Sequence, residues 1–230
     1  MFQLIFKDLK VQKREKTIFI VLFLSLCIAG ILPNNPGLAS AQLLLGVYLM
    51  IVYANAFDYK YNAEIMINSL PLGRNQIVKA KYLSSLIFGL AMMAVALPIS
   101  FLISYTGFPG TDGMNSTLAV RFVMISLFFI SLYLSIFFPV YFKFGYLKSR
   151  WANVLSFLVI FGLVGFVGGQ GEYIPQYGEM VTRESFRQQF LGILAGNESL
   201  TVYLTMLALG FLILYLSLRF SISIYKKKEF

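Results

Sequence analysis

The stretch Asp58–Lys81, DYKYNAEIMINSLPLGRNQIVKAK, is charged at both ends, apolar at its centre and broken once at Pro71. Long apolar runs adjoin it on both sides, so it reads as a connection between two membrane crossings. Asn62 suits an N-cap, Glu64 falls in the first turn where the helix dipole favours a carboxylate, and AEIMINSL can make a short helix. Pro71 stops that helix, Gly73 serves as the next N-cap, and RNQIVKAKYLSSLIFGLAMMAVA continues as one helix. A helix from Arg74 to Tyr105 would be about 48 Å long at 1.5 Å per residue, about 18 Å more than a hydrocarbon core of about 30 Å. It should therefore project from the membrane and carry the short helix with it. Ile65, Met66, Ile67 and Leu70 make an apolar ridge, and burying each in a partner's groove would contribute roughly 1.5–3 kcal/mol at most. Periodicity leaves open whether the ridge meets a partner or folds back onto lipid and neighbouring helices.

The composition agrees with a membrane setting. Of 230 residues, 58% are hydrophobic and 13% charged, against about 25% charged in a soluble domain. The expected class is an all-α polytopic membrane protein, a single domain over 1–230, with six spans near Thr17–Leu32, Leu38–Phe57, Tyr82–Tyr105, Leu118–Tyr141, Trp151–Gln170 and Leu200–Arg219. Pro98 and Pro139 should kink helices or mark their ends. Residues 1–16 place Phe2, Ile5, Phe6 and Leu9 on one helical face among lysines, which suits an interfacial helix lying against lipid headgroups. A cleaved signal peptide fits less well, because the basic region is long and the next apolar run begins at once.

Charge gives the orientation. With the N-terminus inside, 16 of the 19 basic residues face the cytoplasm, and only Arg121, Arg183 and Arg187 face out. The positive-inside rule then assigns both termini and the 58–81 loop to the cytoplasm. The outer connection 171–199 carries Phe186, Phe190, Leu191 and Leu194 at helical spacing, consistent with a short helix on the outer leaflet or with a solvated loop.

Several chemistries are disfavoured. There is no histidine, Cys27 is the sole cysteine, and no G-x-x-x-x-G-K-[ST] phosphate loop occurs. The expectation is therefore no enzymatic activity, no metal and no cofactor held by this chain. The span interiors lack the buried carboxylate or lysine of a proton-coupled transporter, and nothing marks a nucleic-acid partner. Arg121 and Arg219 sit near span ends, where snorkelling accounts for them. Gly162, Gly165, Gly168 and Gly169 in FGLVGFVGG allow close helix approach, within the bundle or at a subunit interface. Asn55 and Asn153 read as caps near the inner span ends.

The segment NSLPLGRNQIVKAKYL resembles the ABC-2 type permeases, in the small bacterial subgroup of peptide-toxin and antimicrobial exporters. The matching positions are Asn68, Ser69, Leu70, Pro71, Leu72, Gly73, Arg74, Ile77, Val78, Ala80, Lys81 and Tyr82; elsewhere the likeness is topology and hydropathy. The resemblance implies a permease subunit of the bacterial cell membrane, pairing with a second permease and two cytoplasmic ATP-binding cassette subunits that carry ATP and Mg. It makes Glu64, Ile65, Met66, Ile67, Asn68, Ser69, Leu70, Pro71 and Arg74 the ATPase-coupling segment. The cargo would be amphipathic or hydrophobic: a peptide, an antimicrobial or a lipid-like molecule. The alternative is a non-transporting immunity or sensor subunit that docks a cytoplasmic regulator through the same loop.

Overall fold

A computed structural model describes residues 2–14, 17–32, 36–63, 66–67, 73–106, 116–168 and 200–227. Among them every regular element is an α-helix: α1 (Phe2–Arg14), α2 (Thr17–Ile31), α3 (Pro36–Lys60), α4 (Arg74–Tyr105), α5 (Ser116–Gly168) and α6 (Leu200–Lys226). The four helices α3 to α6 are long and apolar enough to cross a membrane, and α2 is a shorter apolar helix. Strongly apolar composition without a polar face accounts for α2, whereas α1 alternates lysines with an apolar stripe.

α4 runs over the 32 residues expected of it. Gly73 is extended at φ −65° and ψ 137° with no side-chain cap, and its carbonyl accepts from the Gln76 N–H at 2.8 Å. Asn62 behaves otherwise than expected. Its φ of 48° places it in the left-handed region, whereas an N-cap needs extended backbone. Its N–H bonds back to the Tyr59 carbonyl at 3.2 Å, so Asn62 ends α3, as asparagine can when a helix finishes in a left-handed residue.

The 53 residues of α5 are two arms, 116–144 and 146–168, separated by Gly145 at φ 76° and ψ 178°. The Tyr133 hydroxyl donates to Asn153 Oδ1, 20 positions on, a separation of about 30 Å in an unbroken helix. Tyr48 of α3 stacks on Phe157 at 4.5 Å between centroids and meets Tyr133 edge-on at 6.2 Å. The arms therefore fold back on each other at one residue, where a connection over 142–150 was expected. The polar residues that suggested a loop, Lys143, Lys148 and Arg150, are the exposed face of helical turns whose other face buries Phe142 and Ser149.

The first arm of α5 lies parallel to α6, in step: Phe128 beside Gly210, Ser135 beside Ser217, Phe142 beside Tyr225. Small residues permit the close packing. A methyl on Gly210 would come within 3.1 Å of the Phe128 ring, on Gly89 within 2.7 Å of Ile130, and on Gly46 within 2.5 Å of Met92. The core is built from α3 (Leu43, Leu44, Val47), α4 (Phe88, Met92) and the first arm of α5 (Tyr133, Phe137, Phe138), all buried. Leu204, Leu209, Leu212 and Leu216 of α6 face outward, an apolar surface suited to hydrocarbon.

Candidate coupling site

One end of the bundle gathers α1, the end of α3, the start of α4, the Gly145 fold-back and the end of α6. Tyr59 stacks on Tyr146 at 5.0 Å. The Arg74 guanidinium donates to the Lys226 carbonyl at 2.8 Å, placing a cation on the last turn of α6, where the helix dipole favours it.

At the centre of this end is a closed ring of alternating charge. Lys81 Nζ on α4 donates to Asp58 Oδ2 on α3 at 2.5 Å, and Lys7 Nζ on α1 donates to Asp58 Oδ1 at 2.5 Å. Asp8 completes the ring, 3.3 Å from Lys7 and 3.4 Å from Lys81. Ser84 Oγ donates to Asp8 Oδ2 at 2.9 Å. Asp8, Asp58, Lys81 and Ser84 are all buried. Two lysines against two aspartates make the ring neutral, which a buried charge cluster requires. It joins α1, α3 and α4 at the root of the 58–81 excursion. The serine contact adds a further donor to Asp8, whose oxygens would otherwise be under-bonded in a buried setting.

Beside the ring, Tyr82 ties α4 to α6. Its hydroxyl lies 2.8 Å from both Ser217 Oγ and Ser221 Oγ, and Ser217 Oγ donates to the Ser135 carbonyl at 2.9 Å. A serine hydroxyl has one proton, so Tyr82 donates to Ser217 and accepts from Ser221. The Ser135 carbonyl needs this donor. Its helical partner would be the N–H of residue 139, and Pro139 has none. Thus the proline inside α5 exposes a carbonyl that α6 satisfies.

A small cavity of about 30 Å³ lies against the ring, lined by Asp58, Ile67, Ile77, Lys81, Tyr141, Phe142, Gly145 and Tyr225. It brings loop residue Ile67 into the same space as the charge ring and the fold-back glycine.

The expected coupling residues divide. Met66 is 70% exposed, whereas its neighbour Ile67 is 9% exposed and packs into the core. Arg74 is bonded to α6. Glu64, Ile65, Asn68, Ser69, Leu70, Pro71 and Leu72 lie outside the described residues. Ile77, Val78, Ala80, Lys81 and Tyr82, matched with the ATPase-contacting stretch, are buried; they hold the root of the excursion and present no surface to a partner. A Cβ on Gly162 would meet nothing within 4 Å among the described residues. Gly165 and Gly168 lie on the helical second arm of α5, and Gly169 lies outside the described residues, as does the expected helix of 171–199. Asn55 and Asn153 are buried rather than capping, because each sits on an inward face and Asn153 accepts from Tyr133. Arg121 lies over the Tyr203 ring at 5.8 Å and Arg219 over Tyr215 at 5.9 Å, so each cation meets an aromatic face, and Arg219 lies inside α6 rather than at its end.

The charge ring went unread in the sequence because its members stand up to 74 positions apart (Lys7 to Lys81). The available signal was Asp8, an acidic residue among five lysines and arginines of the first 16 positions, which has no reason to be there in a helix that only meets anionic lipid.

No curated protein and no solved structure matches the chain. The family model described as ABC-2 family transporter protein matches residues 3–226, from α1 through the last turn of α6, and so takes in every element that meets at the charge ring. Members of this family are membrane permeases that work with an ATP-binding cassette subunit. A multi-pass apolar helical bundle with a family match along almost its whole length leaves one assignment: the chain belongs to the ABC-2 family of transporter proteins.

Proposed function

We propose that this chain is the permease subunit of an ATP-driven exporter of the bacterial cell membrane, moving an amphipathic or hydrophobic cargo outward. It crosses six times, counting α2 and the two arms of α5 separately, and its ring-bearing end faces the cytoplasm. The excess of lysine and arginine on the connections at that end supports this orientation. The chain has no enzymatic activity of its own. ATP and Mg are bound by two copies of a partner ATPase, and a second permease, identical or paralogous, completes the pathway, with the open Gly162 face as a packing surface.

The observation that carries the reading is the contrast between Met66 and Ile67. One is presented outward at 70% exposure and the other is anchored inward at 9%. The anchored residue touches the cavity shared with Lys81 and Gly145. A partner that pushes on Met66 thereby pushes on Ile67, on the root of α4 through the charge ring, and on α6 through Arg74 and Tyr82. The segment works as a short lever with a rigid root.

Co-purification from the native membrane tests this. The intact chain should bring down a protein with a nucleotide-binding loop, and Met66→Asp should abolish that capture while leaving the chain's unfolding temperature unchanged. Ile67→Asp is the contrasting variant, lowering stability because a carboxylate would be buried unpaired. Capture of an ATPase that is indifferent to Met66→Asp would refute the lever. Capture of a regulator with no change in cargo export on deletion would favour the sensor alternative.

A further inference from the structure

The groove between the first arm of α5 and the end of α6 has a composition that the export reading does not use. It is about 420 Å³ in volume and lined by Pro139, Val140, Lys143, Phe144, Phe220, Ile224 and Lys227, within the range of about 300–1,000 Å³ for small-molecule sites. Phe220, Ile224 and Lys227 recur at i, i+4, i+7, and Pro139 and Lys143 at i, i+4, so each helix contributes one stripe. In both stripes the apolar residues come first and the lysine last. Because the two helices run parallel and in step, both lysines stand at the same end of the groove, the end that carries the charge ring. Phe144 is 50% exposed and Phe220 61%, so the apolar part is open to the bilayer. No carboxylate lines the groove, and neither lysine is in an ion pair among the described residues. Lys143 Nζ stands 5.2 Å from the centre of the Phe144 ring, which keeps the ammonium at the groove mouth.

We infer that this groove binds one anionic phospholipid, its phosphate between Lys143 and Lys227 and an acyl chain along Phe220, Ile224 and Pro139. Charge complementarity selects the occupant. Two cations with no anion beside an apolar trough match a molecule that has one negative head and a hydrocarbon tail. The zwitterionic lipids that share the bilayer bring a compensating ammonium, which two lysines repel. The site lies at the fold-back of α5 and on the last turns of α6, so a lipid seated there braces the two helices that Tyr82 and Ser217 join.

Native mass spectrometry of the full chain, in mild detergent with phosphatidylglycerol or phosphatidylethanolamine of the same acyl chains, tests the site. Phosphatidylglycerol should be retained on the order of tenfold more strongly, as about two surface lysines can provide. Lys143→Gln with Lys227→Gln should remove the preference without changing phosphatidylethanolamine retention, and Lys143→Arg with Lys227→Arg should keep it. Both side chains are exposed, so an unchanged unfolding temperature identifies the loss as one of binding. Persistence of the preference in the double glutamine variant would overturn the proposal. Full competition by free glycerol phosphate would overturn it too, since that would make the site one for a soluble anion.

Discussion

Asp58 and Lys81 are the two ends of the excursion between α3 and α4, and their side chains meet at 2.5 Å across 23 intervening peptide units. The excursion is thus closed at its root by a buried ion pair, and the loop can be loaded without separating the helices it joins. Removing one partner leaves an uncompensated buried charge, which costs about 3–5 kcal/mol. Asp58→Asn or Lys81→Met should each lower the apparent unfolding temperature in detergent substantially. Because Lys7 and Asp8 still face each other at 3.3 Å, the double variant should lose far less than the sum of the two. Additive losses would mean that the ring does not act as a unit.

Gly145 has φ 76° and ψ 178°, a region that essentially only glycine occupies and that costs other residues of order 1–3 kcal/mol. Among the described residues nothing lies within 4 Å of where its Cβ would be. The penalty is therefore one of backbone alone, and Gly145→Ala and Gly145→Leu should destabilise the chain by similar amounts in thermal unfolding. A loss that grew with side-chain size would point to crowding instead.

The relay from Tyr82 through Ser217 to the Ser135 carbonyl predicts a rescue. Ser217→Ala leaves that carbonyl without its donor, at about 1–3 kcal/mol for a buried unsatisfied group, while the Tyr82 hydroxyl keeps Ser221. Pro139→Ala restores the N–H that a helix supplies to residue 135. Unfolding midpoints should show Ser217→Ala costing less in the Pro139→Ala background than in the native chain. Equal costs would detach the serine from the proline.

Glycines fall into two groups that one substitution separates. Gly89→Ala pushes a methyl to 2.7 Å from the end of Ile130, overpacking of the kind that costs typically 1–3 kcal/mol. Gly162→Ala meets nothing within 4 Å among the described residues and should be neutral or gain up to about 1 kcal/mol from helix propensity. Thermal unfolding of both variants checks this. If Gly162 faces a second permease, Gly162→Leu should weaken association in size-exclusion or crosslinking measurements without lowering the stability of the isolated chain.

Local features were legible in the sequence and distant pairings were not. The start of α4 at Arg74 follows from Gly73 and the absence of any breaker until Pro98, which stays inside the helix. The apolar runs of α2, α3 and α6 were evident from length and composition, with α6 continuing past Arg219 to Lys226 because a basic residue at the interface does not end a helix. Gly145 was missed because a lysine-rich stretch around one glycine has the composition of a loop, and only the burial of Phe142 and Ser149 shows that helical turns continue up to it. Asp8 gave no periodic signal; its meaning depends on Asp58 and Lys81, which only the packing of three helices brings near it. Asn153 was assigned by its nearness to a span end, whereas Tyr133 decides where its amide goes.

The pairing of α6 with the first arm of α5 bears on how the chain is assembled. These two helices are neighbours in space but are separated in synthesis by the second arm of α5 and the whole 169–199 connection. Until α6 arrives, the Ser135 carbonyl bared by Pro139 and the hydroxyl of Tyr82 have no partner from α6, at a depth where lipid offers none. The earlier helices thus form an incomplete bundle with a polar notch along one flank, and α6, synthesised after them, is the helix that closes it. A nascent chain stalled before Leu200 would carry that notch into the membrane, with a bared carbonyl that no lipid tail can satisfy.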